Sequence, residues 1–255
     1  MTSTTTHVLV RWLTTTTTAV GKHPLLVMAE VAGVRGGVLD ELRELVRSHY
    51  VSSETMAKRL AALGAPKTAE LFVEHVPTTK TGRSGDLGEI LATEIAEVTL
   101  GYEVPIRRLR WKDGRNMALR GDDIVGIRRV SQSRIDFLKG ESKSRVGLSA
   151  AVIDEAGEAL DRARGRPTRH SVLFVAERLR DLGEDVLAAQ LEDAVLKGFR
   201  GSTVEHLLLT LSSGNPTQLL TAHLTAAQAK PRRRHAVGVR IVDHGKFIEL
   251  LFGGL

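Results

Sequence analysis

The chain has 255 residues, enough for one large domain or two small ones with a sizeable core. Its 42% apolar and 26% charged content is ordinary for a globular protein, and aromatics at 4% leave the core to Ala, Val, Leu and Ile. A formal charge of +6 suits a polyanionic partner, while the lack of cysteine excludes a disulfide framework, a zinc-thiolate site and a cysteine nucleophile.

The opening Met1-Thr2-Ser3-Thr4-Thr5-Thr6-His7 has no basic region followed by an apolar run, so it reads as a poor signal peptide. No run of about eighteen apolar residues suggests a membrane span. A soluble, cytoplasmic protein is the expectation.

His7 to Leu13 alternates weakly and reads as a strand, and the threonine run Thr14–Thr18 as an extended segment or a loop. Leu25 to Met28 looks like a buried strand, and Gly36-Gly37 a break. Val38, Leu39, Leu42, Leu45 and Val46 have helical spacing. Ser52 or Ser53 caps a helix that Gly64 stops, and Pro66 opens the next, through about Val73. The pair fits either a helix-turn-helix reader or a helical hairpin packed on the core. The polar stretch Thr78 to Gly85 is the best candidate boundary.

Beyond it, Leu87, Ile90, Leu91, Ile95 and Val98 form a helical stripe ending at Gly101. Val104 to Trp111 reads as a strand, followed by a tight turn at Asp113-Gly114, a strand after Asp123, and another over Ile135–Lys143. Leu148 to Leu160 reads as a helix. The segment from about 168 to 229 reads as wholly helical, including Val204–Leu211. Ala236 to Val242 is a strand, Asp243-His244-Gly245 a turn, and Phe247–Phe252 an apolar element of open type. The order describes an α/β core with added helices.

Chemistry concentrates at Glu141-Ser142-Lys143, the sole Asp/Glu-x-Lys triplet of the sequence, eighteen residues beyond Asp123. Strand side chains two apart share a face, so Glu141 and Lys143 project together with Cα atoms roughly 6–7 Å apart. Carboxylates that hold a cation beside a lysine that neutralises charge suit metal-assisted phosphodiester cleavage. A solvated ion pair at a strand end explains the triplet equally well. Asp86-x-x-Glu89 before an apolar run also fits a helix capping box.

Three segments together carry a resemblance: Gly85-Asp86-Leu87-Gly88-Glu89-Ile90-Leu91, Arg120-Gly121-Asp122-Asp123-Ile124-Val125-Gly126-Ile127 and Gly140-Glu141-Ser142-Lys143-Ser144-Arg145. They resemble the PD-(D/E)xK nuclease core of restriction endonucleases and Holliday-junction resolvases, and more narrowly HamA, the nuclease subunit of the Hachiman antiphage system. The likeness covers about Thr81 to Leu160 and departs at Gly121-Asp122, where the motif has proline and aspartate.

The resemblance implies an α/β, restriction-endonuclease-like core, a mixed central sheet flanked by helices, with an N-terminal extension and a helical insert. Residues 1–80 would be an accessory region, mostly helical after residue 36. Residues 81–255 would form the nuclease domain, with the insert at about 168–229. Asp123 and Glu141 would bind Mg²⁺, with Mn²⁺ able to substitute, and Asp122 is the alternative to Asp123. Lys143 would stabilise the transition state, and Glu89 would serve a second cation. A helicase encoded beside the gene would be the protein partner, docking on the N-terminal region and the insert.

Basic clusters at Arg107-Arg108-Leu109-Arg110-Trp111-Lys112 and Arg128-Arg129 flank the acids in sequence and are the candidates for DNA contact; further clusters occur at Arg162 to Arg169 and Arg232 to Arg234. Solvated faces would give the same pattern, and Trp111 could stack on a base or belong to the core. His170, His206 and His223 read as surface or interhelical residues. There is no phosphate-binding Gly-x-x-x-x-Gly-Lys-Ser/Thr loop, so an ATP-driven motor is not expected in this chain. The function expected is a metal-dependent, sequence-tolerant DNA nuclease of antiphage defence. Its rivals are a non-catalytic nucleic-acid-binding subunit and a stand-alone restriction or resolvase-type nuclease.

Overall fold

The computed structural model describes residues 6–131 and 134–255. The chain's first five residues, on which the reading of its start rests, lie outside them. Helix α1 (Val8–Trp12) leads into a hairpin of β1 (Leu13–Val20) and β2 (His23–Glu30). Then come α2 (Arg35–Tyr50), α3 (Ser53–Leu63), α4 (Ala65–Val73), α5 (Lys80–Val98), β3 (Ile124–Ser131) and β4 (Arg134–Ser144). The second half runs α6 (Ala150–Asp161), α7 (Arg169–Asp181), α8 (Asp185–Leu196), β5 (Val204–Ser212), α9 (Thr217–Ala226), β6 (Arg234–Arg240) and α10 (His244–Phe252).

The strands form one mixed sheet in the order β1-β2-β6-β5-β4-β3, six strands among the described residues. The inner four are parallel and both edge pairs antiparallel. Strand alternation splits the buried residues between two faces. Leu207, Leu209, Leu211, Val237 and Val239 meet α1, α2, α5 and α10 on one side, where Trp12 stacks on Phe247. Leu208 and Ala236 meet α6 and α9 on the other. The α7–α8 pair packs by Phe137 and Val125 at the β3 end. The α/β class and the mixed central sheet flanked by helices agree with the sequence. Among the described residues, no helix is long and apolar enough to cross a membrane.

Several elements differ from expectation for identifiable reasons. Val204–Leu211 is a central strand rather than a helix, so the segment 168–229 is not wholly helical. A continuous apolar run has no period to separate a buried helix from a parallel strand buried on both faces. Val104–Trp111 is not a strand. The residue before it, Glu103, makes a single bridge to Ile127, and the segment ends in a 3-10 turn over Arg108–Trp111. Pro105 has no N–H for a ladder, and the Val104 N–H donates to the Glu97 carboxylate at 3.0 Å.

His7–Leu13 contains helix α1, its buried Val8, Leu9 and Trp12 turned inward together. Gly36-Gly37 lies in the first turn of α2 and breaks nothing. The polar stretch before Asp86 is the start of α5, where the Thr79 hydroxyl accepts from the Gly82 N–H at 3.0 Å. The sheet also crosses the boundary expected near residue 80, because β2 pairs with β6. Phe247–Phe252 resolves as the helix α10, which starts at His244 where a turn was expected. The α3–α4 pair follows the reading closely, with Ser52 capping α3 and Gly64 closing it at φ +77°.

Two glycines set how closely the site's strands and helix approach. A Cβ on Gly140 would lie 2.6 Å from the Ile124 Cβ, and one on Gly88 would meet the Ser142 Oγ at 3.3 Å. Gly140→Ala should therefore push β3 from β4 and cost about 1–3 kcal/mol. Urea unfolding would show this as a lower midpoint at unchanged slope, and an unchanged midpoint would refute the close packing.

Candidate active site

The β3–β4 register pairs Ile124 with Gly140, which carried one step further sets Asp123 across from Glu141. Asp123 Oδ2 accepts hydrogen bonds from the Ser142 N–H at 2.9 Å and the Ser142 hydroxyl at 3.1 Å. Among the described residues its Oδ1 accepts none. Glu141 and Lys143 project on the α6 side of β4, their Oε1 and Nζ 3.1 Å apart. The same Nζ lies 3.0 Å from Glu155 on α6, a carboxylate 60% exposed. Ser142 projects to the opposite side, towards Gly88 of α5.

Glu89, one residue further along α5, lines a cavity of about 10 Å³ with Asp123, Arg108, His49 and Thr93, room for one water at most. The capping-box reading of Asp86-x-x-Glu89 does not hold. Both residues lie well inside α5, whose cap is Thr79. Asp86 instead accepts from the Tyr50 hydroxyl at 2.7 Å and from Lys112 Nζ at 2.9 Å on both oxygens.

The electrostatics are those of negative charge short of positive partners. Burial first, and Asp123 second, push the Glu89 carboxyl up to about 8 and the Glu141 carboxyl up to about 7. Burial also raises Asp123, against the Ser142 hydrogen bonds and the Arg108 charge. Burial lowers Lys143, but the bonds to Glu155 and Glu141 outweigh it, so the ammonium is held.

Asp122 has a different occupation. Its side chain is 5% exposed, with Oδ1 3.4 Å from Lys139 Nζ and Oδ2 accepting from the Thr168 N–H at 2.6 Å. Its backbone N–H donates to the Ser171 hydroxyl, and its carbonyl accepts from Arg108. Asp122 thus ties β3 to the start of α7 and to the 3-10 turn, and both its carboxylate oxygens are taken.

Among the described residues, no three acidic or histidine side chains gather tightly enough to form a ready-made metal cage. Mg²⁺ asks for less, because it keeps several waters and takes one or two carboxylates. The hard oxygens of Asp123 and Glu141 fit that requirement, and Glu89 stands back behind Asp123.

The basic residues expected on a DNA surface are mostly engaged internally. Arg107 pairs with Glu97 at 2.6 Å, and Arg108 is buried against the Asp122 and Arg120 carbonyls. Arg110 holds the Ser48 carbonyl, and Lys112 is buried on Asp86. Arg128 lies 4.0 Å over the Tyr102 ring, and Arg129 is near Glu103 at 3.3 Å. The last two are exposed, but five and six residues beyond Asp123, about 16–20 Å along a strand. Trp111 is partly buried under Arg178 at 4.7 Å. His206 is in neither expected setting, being buried in β5 with Nε2 2.9 Å from the Gly165 carbonyl.

The sequence reading missed Lys139, Glu155 and the linking role of Asp122. Lys139 was legible, since strand parity puts it on the face of Glu141 and Lys143. Glu155 was not, because only packing brings α6 against β4.

A carboxyl whose folded value is raised favours the fold while protonated, and that contribution is lost as pH climbs from about 4.5 to about 7. Glu141→Gln should therefore stabilise the metal-free protein at pH 8 by about 1–3 kcal/mol and have little effect at pH 5. Lys143 keeps Glu155 in that variant. Thermal melts at the two pH values test this, and equal shifts at both would contradict it.

Residues 22–255 match the HamA family. Over 124 residues, 48% of this chain, the sequence is 29% identical to "Hachiman protein HamA" of Bacillus cereus. That match spans 43% of the relative's length.

Proposed function

The chain belongs to the HamA family, and from that membership and its acidic site we propose a Mg²⁺-dependent, sequence-tolerant DNA nuclease of antiphage defence. The observation that carries this reading is the trio Glu89, Asp123 and Glu141. Burial raises all three, and the Asp123 charge raises the two glutamates further, with a held ammonium at Lys143. Crowded, buried carboxylates of this kind cost stability, and groups so perturbed cluster at sites that use them.

Bound between Asp123 and Glu141, the cation would supply a Lewis acid for the phosphoryl group and make a neighbouring water more acidic. The chain's own residues do the rest. Asp123 is aimed by Ser142, which fixes one oxygen and leaves the other for coordination. Lys143 places positive charge beside Glu141, where charge grows on the phosphoryl oxygens. Glu155 shares that amine on the open side, so a phosphate entering there takes over its bond. Glu89 holds or releases a proton next to Asp123.

A helicase partner belongs to the same proposal. The chain has no nucleotide-phosphate loop of its own. Its α3–α4 hairpin leaves Leu60, Leu63, Leu71 and Val73 exposed, and α3 buries none of its residues. A second reading, a DNA-binding subunit whose acids only hold structure, draws on the lack of a closed three-acid cage among the described residues.

Incubating plasmid and linear DNA with Mg²⁺ or Mn²⁺ and the partner separates the two. We expect cleavage that chelation abolishes and that Asp123→Asn, Glu141→Ala and Lys143→Ala each reduce about 100-fold or more, while thermal melts show each variant folded. Cleavage unaffected by Glu141→Ala, or absent from parent and variant alike, would favour the second reading.

A further inference from the structure

The turn joining α6 to α7 is built unlike any other among the described residues. Ala163, Arg164 and Gly165 follow one another in the left-handed region, at φ +56°, +59° and +68°. For the two residues with a Cβ this conformation is strained, so the surroundings must enforce it. Three side chains do so, two of them from the interior. Lys139 Nζ donates to the Arg162 carbonyl at 3.0 Å, Arg232 to the Arg164 carbonyl at 3.3 Å, and His206 Nε2 lies 2.9 Å from the Gly165 carbonyl.

With the carbonyls anchored inward, the arginines of the turn face solvent. Arg162, Arg164 and Arg169 are exposed, and among the described residues no acidic side chain forms an ion pair with them. Arg166 lies close enough to Arg232 to depress it further, after burial. Among the described residues, positive charge is left without an ion-pair partner here, the converse of the acidic trio. The turn is also continuous with the site, since Glu155 bonds Lys143 and feels the charges of Arg145 and Arg162. Lys139, which anchors the turn, is two residues from Glu141 on the same strand face.

We propose that this left-handed arginine turn, with Arg162, Arg164 and Arg169 as its contacts, is the phosphate-backbone track that leads nucleic acid to Lys143. The proposal rests on the nuclease reading for what happens at Lys143, but not for the binding itself. A guanidinium grips phosphate in a fixed fork, and such contacts carry no base sequence, so the track is indifferent to sequence. Continuity with the acids selects a nucleic acid over an acidic protein.

The test uses the whole chain and a fluorescent 30-base-pair duplex in EDTA, so that binding is read without cleavage. Each phosphate contact contributes about 0.9 to the slope of log affinity against log salt. The triple variant Arg162→Gln, Arg164→Gln, Arg169→Gln should lower that slope by about two to three and weaken binding at least tenfold at low salt. Arg128→Gln with Arg129→Gln should leave both unchanged. A melting curve shows whether the triple variant is folded, and single Arg169→Gln, outside the strained residues, gives a slope change of about one if it is not.

An unchanged slope in these variants overturns the proposal, as does a parent that binds no DNA or binds polyglutamate equally well. Parent cleavage lost in Glu141→Ala, with an unchanged triple-variant slope, sinks the track alone. A slope that falls as expected in a protein that never cleaves sinks the nuclease reading alone.

Discussion

Ser142 grips Asp123 twice, through its N–H and its hydroxyl, and this fixes where β3 begins against β4. Strand register is all or nothing, because a slip of one residue turns every side chain to the other face. With Ile124 opposite Gly140, the acid that precedes β3 meets the acid of β4, and Glu141 and Lys143 fall together on the side of α6. Gly140 admits Ile124, and Gly88 admits α5. The two small residues and the serine together hold carboxylates nearer than their charges favour.

That crowding is tolerated because the surroundings are heavily tied. Asp122, next in sequence to Asp123, bonds to the start of α7 through Thr168 and Ser171, to Arg108 through its carbonyl, and to Lys139 across the sheet. Removing one partner of such a buried pair strands the other charge, which costs more than the pair contributes. Adjacent aspartates thus divide the work. One is spent on structure and has no oxygen free, and the other keeps an oxygen open and raises both glutamates by its charge.

The arginines follow the same division. Those of the cluster that precedes the acids hold the scaffold: Arg107 on Glu97, Arg108 on carbonyls, Arg110 on Ser48. Sequence proximity misled because Pro105 ends the ladder and the chain folds the cluster inward as a 3-10 turn. The arginines between α6 and α7, distant in sequence from Asp123, are drawn to the site through Glu155 and Lys139. Charge alone cannot tell a guanidinium that is paired from one that is not.

Local chemistry, read from the sequence, determined the α3–α4 hairpin with its serine cap and glycine stop, the long amphipathic α5, the α/β class, and the strand parity that joins Glu141 to Lys143. Each of these depends on neighbours within a few positions. The tertiary structure decided what depends on distant partners. It made the apolar run at Val204 a central strand, carried the first hairpin into the sheet through β6, moved the cap of α5 from Asp86 to Thr79, and gave Asp122 and Asp123 separate tasks. A continuous apolar run or a pair of adjacent acids has no period of its own, so its conformation and its role come from the surface it packs against.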